Sequence, residues 1–337
     1  MSKQSWIVSG DIHLRIKPDL PLEWQLNRYR LLWQTYINLC LEHDAMLILS
    51  GDIFDNHKIN TREMQLFLEL CTLVSRAGID IWVIDGNHDY SDPNNTTLEH
   101  FRSFFDSLNS KSFNTPCGAV RYVNHTTVQF RDCEFAFVGH SRIRDCSLVP
   151  SKDRTTVLVS HFRPDVNEYI KEEIDVAAFT DGYDLVLASD IHTDLTIGGR
   201  IFFTNSPLNN HFEPDPTCGC LLVTCTNGSL STTRIPLDLP NLVQVTVDAA
   251  DYKEIVADYH FYRVEVTGTP EELRKISSSN THVTLLKVPE VVETYTEVKD
   301  DTVGIITSLE DSLIGYMQEL GYDQGKIQQM MEVYHGT

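Results

Sequence analysis

The sequence predicts an α/β protein with an open α/β sheet, a second β-sheet packed on it, and a small α/β unit and helices added at the C-terminus. Three observations carry that prediction. Apolar strand-like runs alternate with helical patterns over residues 6–84, short strand patterns crowd residues 120–235, and the alternation resumes after a Pro-bounded break at 236–240. Alternating β and α patterns argue for a parallel sheet with crossover helices, and a run of short strands argues for a second sheet.

Residues 6–9 open the chain as a short strand. Residues 24–42 repeat apolar side chains at helical spacing, 45–50 read as a buried strand, 62–76 as a helix, and 79–84 as another apolar strand. This order predicts an open sheet whose site lies at the carboxyl ends of its strands. Residues 98–108 read as a helix. Residues 120–123, 128–130, 135–138, 155–160 and 184–188 read as strands of the second sheet, completed by a hairpin around Gly198-Gly199 and by 221–224 and 230–235. The stretch 236–240 (PLDLP) separates a domain of residues 1–240 from a small α/β unit of residues 241–290. In that unit 242–247, 261–266 and 283–288 read as strands. Thr269-Pro270-Glu271-Glu272 is a helix start, with a capping Thr, Pro in the first turn and acids at the positive end of the dipole. Residues 290–301 read as a linker within a C-terminal segment of 291–337, and 305–320 and 323–334 as its two helices.

The 337 residues are 42% apolar and 22% charged, ordinary values for a soluble globular protein. The N-terminus holds no signal-peptide core and no apolar run reaches bilayer length, so a cytoplasmic protein is expected. Only Cys218 and Cys220 of the eight cysteines stand close together. That spacing lacks the second pair a structural zinc site needs, so reduced, buried thiols are expected. A net charge of −21 argues against strong unaided DNA binding. The charge is uneven, however: residues 140–163 hold five Lys or Arg against two Asp, whereas residues 291–337 hold nine acids against Lys299 and Lys326. Arg142 and Arg144 in that basic stretch are candidate contacts to a DNA backbone, although an exposed basic pair is more often simply solvated.

Four strings follow apolar runs: Asp11-Ile12-His13, Gly51-Asp52-Ile53-Phe54-Asp55, Gly86-Asn87-His88-Asp89 and Asp190-Ile191-His192. Carboxylates, imidazoles and an amide gathered from separate strand ends form the donor set of a two-metal centre. Asp11 and His13 alternate, so in extended backbone both reach one ion. Asp52 has two oxygens with which to bridge cations, Asn87 offers a neutral amide oxygen, and His88 is available for acid–base work. Any one of these aspartates alone would read as a helix cap or turn former. His140 reads as structural, and His57 and His100 as surface or supporting residues.

The order of these strings resembles the calcineurin-like metallophosphoesterases, whose pattern is D-x-H, G-D-x-x-D, G-N-H-D, a lone His and G-H-x-H. The lone histidine matches His161, and the last motif matches Ser189-Asp190-Ile191-His192, where Ser189-Asp190 replaces the usual Gly-His. Thr204-Asn205-Ser206-Pro207-Leu208, residues 219–223 and 235–237, and residues 262–269 resemble the SbcD-type repair nucleases, a group that includes Mre-eleven proteins and phage recombination nucleases. The resemblance covers about 1–290 well and the tail loosely.

That resemblance implies a four-layer metallophosphoesterase sandwich with a small DNA-capping domain. It also implies two Mn²⁺ ions, with Mg²⁺ as the alternative. Asp11, His13, Asp52 and His192 would hold one ion, and Asp52, Asn87, His161 and Asp190 the other. His88 would protonate the leaving oxygen or stabilise the transition state, with Asp89 and Asp55 orienting. The implied function is a Mn²⁺-dependent exo- and endonuclease subunit acting on double-stranded DNA ends in repair or recombination, as a homodimer with an SbcC-like coiled-coil ATPase. The tail helices would clasp that ATPase through an apolar stripe that includes Leu309, Leu313 and Met317, with Tyr316, Met330 and Met331 as anchors. Asp190 keeps an oxygen donor but adds a negative charge, so a working but altered site is expected. The rival readings are a phosphoesterase for small molecules or phosphoproteins, and a catalytically weak scaffold binding the ATPase and DNA.

Overall fold

The computed structural model describes residues 3–92, 95–110, 117–145, 147–164, 173–256, 258–289 and Lys326. The chain divides into Met1–Glu290 and Val291–Thr337. Both expected tail helices fall in the second part, outside the described residues apart from Lys326, which is helical.

Strand β1 (Lys3–Ser9) is buried from Ser5 onward, and its side chains alternate between two cores. Ile7 packs with helix α1 (Leu22–His43), while Trp6 and Val8 turn toward the other sheet. This period-two division into two apolar faces is what a strand covered on both sides requires. The chain continues through β2 (Ala45–Ser50), α2 (Thr61–Arg76), β3 (Ile81–Ile84), the short hairpin β4 (Tyr90–Asp92) and β5 (Asn95–Thr96), α3 (Arg102–Ser110) and β6 (Val120–Tyr122). Strands β1, β2, β3 and β6 are parallel neighbours. Two later strands, β13 (Gly219–Thr226) and β14 (Ser229–Pro236), join antiparallel on the free side of β1, giving the order β14-β13-β1-β2-β3-β6.

The second sheet takes β7 (His125–Gln129), β8 (Cys133–Val138), β9 (Thr155–His161), β10 (Leu185–Ser189), β11 (Thr196–Ile197) and β12 (Ile201–Phe203) in the order β11-β12-β10-β9-β8-β7. Its inner face sets Phe135, Phe137, Val157, Val159 and Leu187 against Trp6, Val8, Ile48 and Trp82 of the first sheet. Leu158, Val186 and Phe203 face outward toward Phe162, Tyr183 and the short helix α4 (Val176–Phe179). Two mixed six-stranded sheets flanked by helices are thus the architecture.

The expected strands over 120–123, 221–224 and 230–235 form, but in the first sheet rather than the second. Local periodicity reports that a segment is extended and which faces are buried, not which neighbour it pairs with. The expected helix over 98–108 begins as a 3₁₀ turn (Thr97–Phe101) before α3.

Past Pro236, Leu237 and Leu239 are buried in the first core, so the connection to the next strand is anchored. Strands β15 (Leu242–Asp248), β16 (Phe261–Gly268) and β17 (Val283–Pro289) form a separate parallel sheet, with α5 (Pro270–Lys275) between the last two. Thr269 caps α5 in a reciprocal box with Glu272, as its sequence predicts. Leu20 and Trp24 pack on Leu242 and Phe261, and the Trp24 indole donates to the Tyr259 carbonyl at 2.9 Å. The described cysteines are free thiols, all buried except the half-buried Cys117. Among the described residues no helix is long and apolar enough to cross a membrane.

Candidate metal centre

Five strands deliver the predicted residues to one place. β1, β2 and β3 run parallel in one sheet and β9 and β10 in the other, and the motifs follow their carboxyl ends. The sheets are tied there, because Ser50 Oγ at the end of β2 lies 2.6 Å from Ser189 Oγ at the end of β10. Nδ1 of His161 donates to the Ser50 carbonyl at 3.1 Å. Gly51 takes φ +98°, and a Cβ on Gly86 would collide with Asp52 Oδ1, so neither loop tolerates a side chain at these positions.

Backbone strain collects at the same place. Of seven non-glycine residues with positive φ among those described, four are predicted ligands: Asp11 (54°), His13 (46°), Asp52 (48°) and Asp190 (105°). Such conformations cost about 1–3 kcal/mol each and persist where the surroundings impose them. Asp11 and His13 were expected in extended backbone; they reach the same point through left-handed turns instead.

The carboxylate and imidazole donors form three overlapping triads, Asp11–His13–His192, His13–Asp52–His88 and Asp11–Asp52–His161, and the distances among them, Asn87 and Asp190 mark two neighbourhoods. In the first, His13 Nε2 lies 3.1 Å from His192 Nε2 and 3.4 Å from Asp52 Oδ2, and His192 Nε2 lies 3.8 Å from Asp11 Oδ1. In the second, His161 Nε2 lies 2.9 Å from Asn87 Oδ1, 3.6 Å from Asp52 Oδ2 and 3.7 Å from Asp190 Oδ1. Neighbouring ligands of an octahedral ion with bonds near 2.1 Å stand about 3 Å apart. These spacings suit divalent-cation binding by Asp and His donors, with Asp52 within reach of both neighbourhoods.

The chemistry of the donors agrees. The Asn87 side-chain amide stands against His161 Nε2 at 2.9 Å and against the carboxylates of Asp52 and Asp190. With the amide turned, its nitrogen donates to His161, Asp52 and Asp190; with the oxygen inward, the same four groups form a donor set for a cation. Burial, with His192, His88 and His161 adding to it, pushes His13 down to about 2, so this ring is neutral and offers a lone pair. Burial also raises the carboxyls of Asp11 and Asp52 above their ordinary range, a penalty that a bound cation would remove. The residues present fit the metals that the motifs imply.

His88 stands at the rim. Its Nδ1 donates to the Asp55 carbonyl at 2.7 Å, and its Nε2 lies 4.0 Å from Asp52 Oδ2. Asp89 is fully buried and accepts from the backbone N–H groups of Ile53, Phe54 and Gly86 at 3.1, 2.9 and 2.9 Å. It clips the Asp52 loop to the Asn87 loop, and burial pushes its carboxyl up to about 6 despite those donors. Asp55 accepts from Arg15 at 2.7 Å and sets its other oxygen 3.6 Å from His13 Nδ1. Asp89 thus ties two backbone loops together, and Asp55 is held by Arg15.

The structure brings together all seven predicted ligands and His88, but leaves Arg142 and Arg144 outside the cluster. Both stand on the 3₁₀ helix His140–Asp145. Arg144 is exposed, and Arg142 lines a separate cavity with Thr96, Glu99, Arg102 and Tyr122. Sequence reasoning missed two supports, Arg163 and Asp85, and read a third, His140, as structural. Arg163 forks onto Asp190 at 2.8 and 3.0 Å. Asp85 braces the Asn87 loop by accepting from Tyr122, Asn124 and Ser141. His140, held between the Tyr90 hydroxyl and Glu173, stands with its ring 6.0 Å from that of His161. The available signal for Arg163 was the acid at 190 where the motif carries a neutral ring, since a buried extra charge calls for a counter-charge.

Comparison with known proteins agrees with this geometry. The family model described as calcineurin-like phosphoesterase matches residues 6–194. No curated protein matches the chain significantly. Among solved structures, TT1561 of Thermus thermophilus is 11% identical with a TM-score of 0.41, covering 69% of this chain and 99% of that one. A novel archaeal phosphodiesterase is 11% identical with a TM-score of 0.38, covering 69% and 100%. The purple acid phosphatase PPD1 of yellow lupin (Lupinus luteus) seeds is 12% identical with a TM-score of 0.38, covering 70% and 52%. Likenesses this distant carry no functional argument. The family match does, because it spans more than half of the chain and every ligand candidate from Asp11 to His192. The chain belongs to the calcineurin-like phosphoesterase family.

Proposed function

We propose that the chain is a Mn²⁺-dependent phosphodiesterase that cuts DNA, the nuclease subunit of an SbcD-type repair or recombination complex. The observation that carries the reaction class is the convergence of seven donor residues on two groups bridged by Asp52, with His88 at the rim. Mixed nitrogen and oxygen donors suit Mn²⁺ better than zinc. When bound, two such ions activate water and offset charge on the phosphate oxygens.

The chain's own residues do the rest. The Ser50 carbonyl fixes His161 so that Nε2 faces the cluster. The Asp55 carbonyl accepts the Nδ1–H of His88, leaving Nε2 free 4.0 Å from Asp52 Oδ2, where a phosphodiester held by the metals would meet it. In the protonated ring that nitrogen donates to the leaving oxygen. Asp89 keeps the two loops in register through three backbone N–H groups.

A polymeric substrate fits the opening. His88 and His192 are 42% and 40% exposed while Asp11 and His161 are fully buried, so the cluster opens to solvent on one side. A backbone phosphodiester of DNA can approach an open rim that would not enclose a small molecule. The same reading assigns residues 291–337 to a coiled-coil ATPase partner and expects a homodimer on duplex ends. The net charge of −21 favours the second reading, a phosphoesterase for small substrates.

End-labelled linear duplex DNA incubated with Mn²⁺ separates the two. Cleavage by the wild type that falls about 10²–10⁴-fold in His88→Gln supports the nuclease. Turnover of a small diester with intact duplex supports the second reading.

A further inference from the structure

Asp190 adds a negative charge to a cluster that must receive an anion. Asp11 and Asp52 already bring two carboxylates, and Asp190 Oδ1 stands 3.7 Å from His161 Nε2 in the second group. A phosphodiester entering beside an uncancelled carboxylate is repelled. The structure answers that charge at once. Nε and Nη2 of Arg163 donate to Oδ2 and Oδ1 of Asp190 at 2.8 and 3.0 Å, a planar fork on a carboxylate whose side chain is 5% exposed. The Arg163 backbone N–H in turn reaches Glu173, and the Asp190 N–H donates to Asp11, so both partners are fixed at either end. A fork of this kind occupies one lone pair on each oxygen and leaves the others for a cation. Asp190 itself sits at a strained φ of +105°.

We propose that Arg163 is a positioning residue for the phosphoesterase reaction: its fork holds Asp190 in a ligating orientation and cancels its charge, so that the pair meets an anionic phosphate as a neutral ligand would. This rests on the two-metal phosphoesterase reading above. It turns Asp190 from a defect in the site into half of a two-residue replacement, the other half lying two residues beyond His161.

The full-length chain tests this as wild type, Arg163→Gln, Arg163→Lys, Asp190→Asn and the Arg163→Gln/Asp190→Asn double variant. The readouts are Mn²⁺ stoichiometry by calorimetry, then the inhibition constant of orthophosphate and the KM of bis(p-nitrophenyl) phosphate at saturating Mn²⁺. Arg163→Gln is expected to keep two Mn²⁺ while its phosphate inhibition constant and KM rise about tenfold, the order expected of one uncancelled charge near a partly solvated site. Arg163→Lys, which keeps the charge without the fork, is expected to fall between the wild type and Arg163→Gln. Adding Asp190→Asn to Arg163→Gln is expected to restore phosphate affinity, a rescue that a purely structural role would not show. Phosphate affinity unchanged in Arg163→Gln, equal losses in Gln and Lys variants, or a double variant no better than Arg163→Gln would each overturn the role of Arg163. A wild type that fails to bind two Mn²⁺ would overturn the two-metal reading with it.

Discussion

With Nδ1 of His161 spent on the Ser50 carbonyl, only Nε2 is left to face Asn87, Asp52 and Asp190. Burial alone would strip this ring of a proton. The carboxylates of Asp52, Asp11 and Asp190 outweigh it and hold the imidazole well above its ordinary range in the metal-free protein. The sign of two pH effects follows. A group raised in this way adds stability below pH ~6.5 that is lost as pH rises through its folded value. A cation needs the neutral ring, so metal uptake at neutral pH must displace protons, and affinity rises with pH by up to about tenfold per unit. Mn²⁺ titrations at pH 7 in buffers of different ionisation enthalpy should report release of at least about one proton. Heats independent of buffer would contradict this. The same residue shows what was legible in the sequence. His161 ends an apolar strand, a position readable from one chain. The proton it carries depends on Asp11, Asp52 and Asp190, which only the fold brings within reach.

Helix α2 connects element stability to the site. Asn60 caps it, and Glu63 closes the box by accepting the Asn60 N–H through Oε2 at 2.8 Å. Its other oxygen accepts the Ile16 N–H at 2.9 Å, in the loop just past Asp11 and His13. Glu63→Ala leaves two backbone donors in a partly buried place and removes half of a capping box, so a loss of about 2 kcal/mol is expected. Glu63→Gln keeps a single acceptor oxygen and should lose less. Urea unfolding of the two variants checks both, and a loss under about 0.5 kcal/mol in Glu63→Ala would show the loop held by other means. Elements of this kind are written locally, as the Thr269 cap of α5 was. Sheet membership is not. β6 reaches the first sheet through the α3 crossover and pairs parallel to β3, whereas β13 arrives from far along the chain to pair antiparallel with β1. Both read as short strands, and nothing in their own residues names the partner.

At the scale of the whole molecule, all the ligand candidates and the small parallel sheet lie within Met1–Glu290. That sheet is fastened to the larger body by Leu20, Trp24, Leu242 and Phe261, by the Trp24–Tyr259 hydrogen bond, and by Asn209, whose side-chain oxygen accepts the Leu242 N–H at 2.9 Å. No fastening among these needs residues 291–337. A chain ending at Glu290 should therefore fold, bind Mn²⁺ as the full chain does and turn over a small diester at an unchanged rate. The excised segment carries nine acids against two lysines, so its removal also relieves self-repulsion in a chain of net charge −21. What the truncation should lose is any stimulation by a coiled-coil ATPase on duplex ends, because the apolar stripe assigned to that partner goes with it. Metal calorimetry and diester turnover on the shortened chain decide the matter. A fall in metal affinity would mean that the tail completes the centre, and intact stimulation by the ATPase would place the partner's contact on the nuclease body instead.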